Sequence, residues 1–520
     1  MRIVNGMEFY QVISQEINRG SIQGRDDLQR RKITLAKELR LDHIPSDTEI
    51  LRSGYVLEQN RNLLRIKPTR TISGVAVVAA MTSPESCPHG KCIYCPGGVD
   101  NNSPQAYTGH EPAALRGRHN NYDPYMIVFN RLKQLETIGH DTSKIDLIIM
   151  GGTFTARSRE YQENFIKGCF DAMNGEIAPS LQDSILLNER SKRRCIGLTV
   201  ETKPDWFLEK DIDEALSYGT TKVELGVQIL KEEALKLNLR GHGIEETVRS
   251  TRLSRDAGLK IVYHLMPGMY GTTIDDDRKS FDLMISDPSF KPDMLKIYPT
   301  LVVKGTSLYR LWKQGKYVPP DTDTASELIA YFMEKMPPWI RIQRMQRDIP
   351  VKFIEAGVKR SDLRNIVDAR LRERGIKTME IRSREIMKTG DHGNHMELVR
   401  REYDASGGRE IFLSLENEEH IFGFLRIRKP SDIAHRAEMI NSSIIREIKV
   451  LGEVVPIGNH SDALWQHKGL GRRLLAEAER ITADEWGYPR ILVISGAGVR
   501  EYFRRNGYER VGPYMGKALT

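Results

Sequence analysis

Cysteine is scarce in this chain, with five residues in 520. That excludes a disulfide framework as the source of stability. Long apolar runs are missing too. The longest, at 75–81, has the length of a strand and falls short of the roughly 18 apolar residues a membrane span requires. A signal-peptide core is absent, because Arg2 and Glu8 interrupt the N-terminus. Internal repeats and low-complexity tracts are absent as well. These absences lead to the expectation of a cytoplasmic protein that does not enter a membrane. Charge of one sign is only mildly in excess: 78 Lys and Arg against 70 Asp and Glu, a net charge of +8. The excess is uneven. Residues 341–388 hold 14 basic and 7 acidic residues, and residues 1–70 hold 13 and 9. Basic patches attract polyanions, and two of them point to nucleic acid.

What is present divides the chain into four segments. Residues 1–70 are basic, and Phe9, Ile13 and Ile17 recur at a helical step. Residues 71–315 alternate short β-branched runs with helical stretches. The runs lie at 75–81, 145–150, 196–201, 222–228, 260–265 and 294–298. Such a series predicts a parallel sheet, open or curved into a partial (β/α)6 barrel, with chemistry at the C-terminal strand ends. Residues 316–393 read as a basic linker domain. Residues 394–520 predict an α+β domain, with strands at 396–403, 409–415, 421–428, 444–450 and 490–495 and a helix at 469–486.

Three of the five cysteines, Cys87, Cys92 and Cys95, fall within nine positions just after the first strand. Three thiolates on one loop can hold three irons of a [4Fe-4S] cluster. The fourth iron then stays open for S-adenosylmethionine. A zinc site using these cysteines and His89 is the competing reading of the triad alone. Position favours the cluster. The loop ends the first strand of a parallel series, and Gly151-Gly152-Thr153-Phe154 follows the second strand. Two glycines there permit close backbone approach to a ligand amino group. Together these features resemble the radical S-adenosylmethionine superfamily, although the spacing here is four then two. Cys169 and Cys195 read as buried structural thiols.

Near the C-terminus, Gln466-His467-Lys468-Gly469-Leu470-Gly471-Arg472 precedes a helix. A glycine loop entering a helix N-terminus can cradle a pyrophosphate. With the surrounding strands it resembles the acyl-CoA loop of the GNAT-type acetyltransferase fold. Where that fold often carries a thioester-facing tyrosine, this chain has Phe503, so Tyr502 or Tyr514 would have to supply the hydroxyl, and Tyr502 and Phe503 are expected to line the cofactor site.

The pairing of these two domains resembles the family of the Elongator catalytic subunit, a tRNA wobble-uridine acetyltransferase, in a stand-alone prokaryotic, archaeal form. The resemblance rests on Cys92-Ile93-Tyr94-Cys95-Pro96-Gly97-Gly98, Tyr107-Thr108-Gly109-His110-Glu111-Pro112, Glu201-Thr202-Lys203-Pro204-Asp205, Lys296-Ile297-Tyr298-Pro299-Thr300-Leu301 and Arg344-Met345-Gln346-Arg347-Asp348-Ile349-Pro350. It implies attachment of a carboxymethyl group, derived from acetyl-CoA, to C5 of the wobble uridine. The adenosyl radical would abstract hydrogen from the acetyl methyl group, and the thioester would be hydrolysed. It also implies that Lys144 contacts acetyl-CoA, that Glu447, Ile448, Lys449 and Val450 line the CoA strand, and that Gly469, Leu470, Gly471 and Arg472 hold the pyrophosphate. The implied partners are a tRNA anticodon stem-loop and an external electron donor; a homodimer is an open assembly. Reversing Arg341, Arg344 and Arg347 to Glu is expected to abolish tRNA binding and leave the cluster intact. Members of the family it resembles often carry a cysteine shortly before an Arg-x-Arg-Glu segment; residues 377–381 before Arg382-Ser383-Arg384-Glu385 hold none, which argues against a structural zinc and leaves His392 and His395 as candidates. A protein lysine acetyltransferase with a structural iron–sulfur domain is the alternative function. Basic patches suit it less well, since histone-like substrates are themselves basic.

Overall fold

The structure is a computed structural model and describes residues 2–67, 71, 73–386, 395–452 and 469–519. Gln466, His467, Lys468 and His392 therefore lie outside the described residues. None of the described helices is long and apolar enough to cross a membrane.

Three N-terminal helices, Arg2–Asn18, Arg25–Glu38 and Asp47–Arg52, pack on their own small core. Phe9, Ile13 and Ile17, one helical stripe, are all buried in it. Ser46 caps the third helix by accepting from the Glu49 N–H, while Glu49 reaches back to Ser46.

The central sheet contains β1 (Ala76–Met81), β2 (Lys144–Met150), β3 (Arg194–Thr202), β4 (Lys222–Gln228), β5 (Lys260–Leu265) and β6 (Met294–Ile297). All pair in parallel and in sequence order, so every crossover carries a helix or helices. Two short strands, β7 (Val302–Val303) and β9 (Ile354–Ala356), form a separate ribbon. β8 (Arg341–Arg344) joins the main sheet beyond β6. The half-barrel thus has a seventh parallel strand, and it comes from the segment read as linker. The sequence pattern hid it because Arg341 and Arg344 interrupt the apolar signal. Arg341 is neutralised by largely buried Glu385, and Arg344, at the exposed end of the strand, pairs with Asp348.

The C-terminal sheet runs in the order β10 (Glu397–Ala405), β11 (Gly408–Glu416), β12 (Ile421–Lys429), β13 (Ser442–Val450), β14 (Arg490–Val493), β16 (Tyr514–Ala518), β15 (Glu509–Val511). β13 and β14 are parallel, joined through the helix Leu470–Arg480; the other pairings are antiparallel.

The two sheets are not beads on a string. Ile444, Leu492, Ile494, Ala497 and Tyr514 of the C-terminal domain belong to the same hydrophobic core as the barrel. Between the domains lies a buried ion network. Arg446 bridges Asp293 (2.6 Å) and Glu410 (2.8 Å), and Arg428 bridges Asp256 (2.6 Å) and Glu410 (3.2 Å). Arg426 reaches Glu447 at 2.9 Å and Asp293 at 3.5 Å. Such charges are tolerated in a dry interior only because each is paired and hydrogen-bonded.

Candidate active site

The cysteine loop follows the C-terminal end of β1, at the mouth of the barrel. Cys92 and Cys95 are buried, and Cys87 is half-buried. The Ala106 N–H donates to Cys95 Sγ at 3.0 Å. Arg240, buried, donates to Cys92 Sγ at 3.5 Å and to the Gly226 carbonyl at 2.6 Å. His89 Nε2 lies 3.3 Å from Cys92 Sγ. Burial and the neighbouring Cys92 push the Cys95 thiol up to about 11, so ionising this trio takes compensating positive charge. All three cysteines line one cavity of about 150 Å³, as do Glu201, Glu224, Arg240, His264, Tyr298, Arg344 and Arg347.

The donor set fits a cluster better than zinc. Thiolates on one tetrahedral ion, at about 2.3 Å from it, stand about 3.8 Å apart. Among the described residues, the three sulfurs do not all lie within 4.8 Å of one another. The space beside them is also shaped for a ligand. Gly151 and Gly152 have φ of 137° and 96°, values that side chains rarely tolerate. A Cβ on Gly151 would lie 1.9 Å from Thr82 Oγ1, and one on Gly152 would meet Gln105 at 3.3 Å and Cys87 Sγ at 3.9 Å.

The cavity floor holds residues to which the sequence assigned no role. The Tyr107 hydroxyl donates to Glu201 at 2.7 Å. His264 Nε2 and Glu224 are 2.8 Å apart, and Lys296 forms an ion pair with Glu224. Lys296 also stands 3.9 Å from Glu201. Burial alone would raise the Glu224 carboxyl, but Lys296 and His264 hold it well below the usual range. Glu201 is pushed up, mainly by burial. The available signal was charged residues inside otherwise apolar parallel strands, with Glu201 and His264 next to the C-terminal ends of theirs, where a purely structural strand would bury none.

A second centre is assembled by the C-terminal domain. β13 pairs with β14 only over 442–445, whereas it continues against β12 to Val450. Among the described residues, Glu447, Ile448, Lys449 and Val450 are thus laddered on one side alone. Their other edge has backbone groups for an extended amide-bearing ligand. Gly469, at φ 76°, begins the helix Leu470–Arg480, with Leu470, Gly471 and Arg472 in its first turn. A Cβ on Gly471 would lie 3.0 Å from Tyr502 Oη and 3.8 Å from Val450. The structure therefore brings together Gly471, Val450 and Tyr502. The Glu447 carboxylate is already taken by Arg426, which leaves its main chain to face a ligand.

Two expectations at this centre are corrected. Tyr514 is fully buried, and its hydroxyl donates to the Ala257 carbonyl at 3.0 Å across the domain boundary. It is an inter-domain pin, not a general acid. Phe503 is buried in the core against Tyr502 and Tyr508. Tyr502, 40% exposed, is the hydroxyl at the surface of the site.

Lys144 is the first residue of β2. Burial and then Arg194 lower its pKa. Arg194, its ladder partner, packs against Gly498 of the C-terminal domain, where a Cβ would come within 2.4 Å of Arg194 Cβ. Lys144 thus sits at the N-terminal end of the barrel, on the side of the C-terminal domain. Six residues along the strand, about 20 Å away, Met150 lines the cysteine cavity. The barrel interior between them is polar, and Lys222 pairs with Asp146 there at 3.2 Å.

The basic stretch of β8 also departs from expectation. Arg341 is bound to Glu385 at 2.7 Å, and Arg344 pairs with Asp348 at 2.6 Å. Arg347 donates to the Ala106 carbonyl, and Ala106 in turn supports Cys95. Charge reversal here cannot separate tRNA binding from cluster integrity.

Comparison with known proteins agrees with this geometry. Residues 81–284 match the Radical SAM superfamily, and residues 292–373 match the Radical_SAM C-terminal domain. The latter match includes β8. The tRNA uridine(34) acetyltransferase of Methanocaldococcus jannaschii is 48% identical, over 98% of this chain and 96% of its own length. The chain belongs to that family. The family extends to Elongator complex protein 3 of Homo sapiens, 40% identical over 96% of this chain and 94% of that protein. Among solved structures, the archaeal Methanocaldococcus infernus Elp3 with an N-terminal deletion (1–46) superposes with a TM-score of 0.76. It is 44% identical and covers 86% of this chain and all of that one. As a radical SAM protein of this family, the chain is a [4Fe-4S] and S-adenosylmethionine enzyme, and the zinc reading of the triad is set aside.

Proposed function

We propose that this protein attaches a carboxymethyl group to C5 of the wobble uridine of tRNA, with acetyl-CoA as carbon donor. The observation that carries the proposal is the pairing of two centres, a three-cysteine cavity and a splayed β13–β14 edge, at opposite ends of one barrel with a shared core. The relatives named tRNA uridine(34) acetyltransferase support the substrate.

Cys87, Cys92 and Cys95 would hold the cluster. Bound there with S-adenosylmethionine, it supplies one-electron chemistry able to take hydrogen from an unactivated carbon. Gly151 and Gly152 let main chain approach the methionine moiety. Arg240 would offset thiolate charge, and Tyr107, hydrogen-bonded to Glu201, forms with Lys296 a buried polar floor. At the other end, the first turn at Gly469 to Arg472 would hold pyrophosphate, and the β13 edge the pantetheine amides. Tyr502 is poised to give a proton to the departing thiolate sulfur. Lys144 would face a phosphate or the thioester oxygen. The uridine would be extruded from the anticodon stem-loop into the barrel mouth, with the basic N-terminal helices and Arg344 contacting phosphates. The reaction draws its electron from an external donor, and the setting is cytoplasmic. The lysine acetyltransferase reading leaves the cysteine cavity without a use.

The test is anaerobic reconstitution with tRNA, S-adenosylmethionine, dithionite and acetyl-CoA labelled at the methyl carbon. Digested tRNA is then examined by mass spectrometry. Labelled carboxymethyluridine that disappears in Cys92→Ala is the expected result. Acetylated peptide without reductant, and no labelled nucleoside, would overturn the proposal.

A further inference from the structure

The inner faces of four barrel strands meet on one patch of the cavity floor. β3 brings Glu201, β4 Glu224, β5 His264 and β6 Lys296. The two carboxylates of this patch are short of hydrogen-bond donors. Glu201 Oε2 accepts from the Tyr107 hydroxyl at 2.7 Å. Glu224 Oε2 lies 2.8 Å from His264 Nε2 and pairs with Lys296. The second oxygen of each accepts nothing among the described residues. Glu224 Oε1 is buried without a partner, and Glu201 Oε1 has only the Lys296 ammonium, 3.9 Å away. A buried carboxylate oxygen left in this state is costly until a ligand or a water brings it an N–H or O–H.

A metal ion does not answer that need. Glu201, Glu224 and His264 have donor atoms within 4.8 Å of one another. Lys296 already sets a fixed positive charge against both carboxylates, however, and a second cation would be repelled. A neutral N–H flanked by acceptors fits better. Lys296 has N–H groups beyond the one it gives to Glu224. Tyr298, edge-on to His264 with 5.6 Å between ring centres, brings a hydroxyl to the same cavity. Uracil carries a carbonyl on each side of its N3–H. Cytosine has a bare N3 lone pair and an amino group instead.

We propose that Glu201 and Lys296 read the Watson–Crick edge of the extruded uracil, Glu201 Oε1 accepting from N3–H and Lys296 donating to an adjacent carbonyl, so that this floor selects uridine over cytidine. The inference rests on the reading of a wobble uridine as substrate. Glu201 makes the contact because it is 6% exposed, against 1% for Glu224. Tyr298 supplies the donor for the other carbonyl. A cytosine in the same place would turn its N3 lone pair toward a carboxylate, leaving both groups without a proton to share. Holding the base by this edge leaves its C5–C6 side open for chemistry.

The probes are anticodon stem-loops identical except at the wobble position, which carries uridine, cytidine or 3-methyluridine. Kd is measured at one salt concentration on reconstituted enzyme holding S-adenosylmethionine and desulfo-coenzyme A. The phosphates are the same in every probe, so the ratio of affinities reads the base. The wild type is expected to bind the uridine loop about tenfold more tightly than either other loop, or better, because each leaves a buried polar group unpaired. In Glu201→Gln the amide offers an acceptor or a donor, and the uridine and cytidine loops are expected to bind within about twofold of each other. Iron content and the Kd for S-adenosylmethionine check that the variant is folded. The 3-methyluridine comparison needs no variant. Indifference of the wild type to that methyl group would overturn the proposal, as would wild-type discrimination persisting in Glu201→Gln. A variant that loses S-adenosylmethionine affinity and still discriminates would place the carboxylate in the cofactor site instead. Selective binding of the uridine loop without transfer of labelled carbon would strike the proposed reaction and leave the readout standing. Transfer of label with no preference at the wobble position would strike the readout alone.

Discussion

At the scale of single residues, two tyrosines separate catalysis from stability. Tyr502→Phe is expected to lower acetyl-CoA turnover about 100-fold, the usual worth of a positioned acid, with no change in Tm. Tyr514→Phe removes a buried inter-domain hydrogen bond and is expected to cost about 1 kcal/mol, with turnover per folded molecule retained. Thioester hydrolysis and thermal melting of both variants distinguish the roles. Asp277 offers a pH test. Burial pushes its carboxyl up to about 7, although the Gly268 N–H donates to it at 2.9 Å. A carboxyl raised on folding holds its proton better in the folded state. Its contribution to stability is complete below about pH 4 and is lost as pH rises through 7. The wild type should therefore lose stability relative to Asp277→Asn between pH 5 and 8, by at most about 1.4 kcal/mol per pH unit. Urea midpoints that differ by the same amount at both pH values would show that the group does not titrate in that range.

At the scale of elements, β8 changes how the basic linker works. Its strand is bound to β6, and the following Arg347 supports the cysteine loop through Ala106. Arg347→Glu is expected to reduce iron bound per chain after reconstitution, because a carboxylate would face the Ala106 carbonyl. Full iron occupancy in that variant would return the arginine to a surface role. Most other elements were legible. The six runs at 75–81 through 294–298 are β1 to β6, because strands buried on both faces must be apolar throughout. β8 was not, because its apolar content is a single buried residue, Ile342, between arginines whose partners Glu385 and Asp348 no local pattern supplies.

At the scale of the molecule, the domains behave as one body. Arg446 touches Asp293 of the barrel and Glu410 of the C-terminal sheet, and all three are fully buried. Arg446→Met would leave buried carboxylates short of a cation, at a cost of about 3–5 kcal/mol. Calorimetry should show a lower Tm and an earlier, separate transition for the C-terminal domain. A loss below about 1 kcal/mol would mean that Arg255 and Arg426 absorb the change.

The sequence by itself determined the local chemistry. Three thiols on one loop after a strand, glycines after the next strand, and a glycine turn before a helix each follow from neighbours in the chain. Tertiary structure alone decided which side chains face each other. Glu201, Glu224, His264 and Lys296 come from four strands and meet only when the sheet curls. Tyr514 looked available until folding placed it against Ala257. The separation of Lys144 from the cysteines is likewise a property of the barrel, since its strand starts at Lys144 and ends at Met150 beside the cysteine cavity. Local signals arise from spacing along the chain, whereas burial and pairing of charge depend on residues hundreds of positions apart.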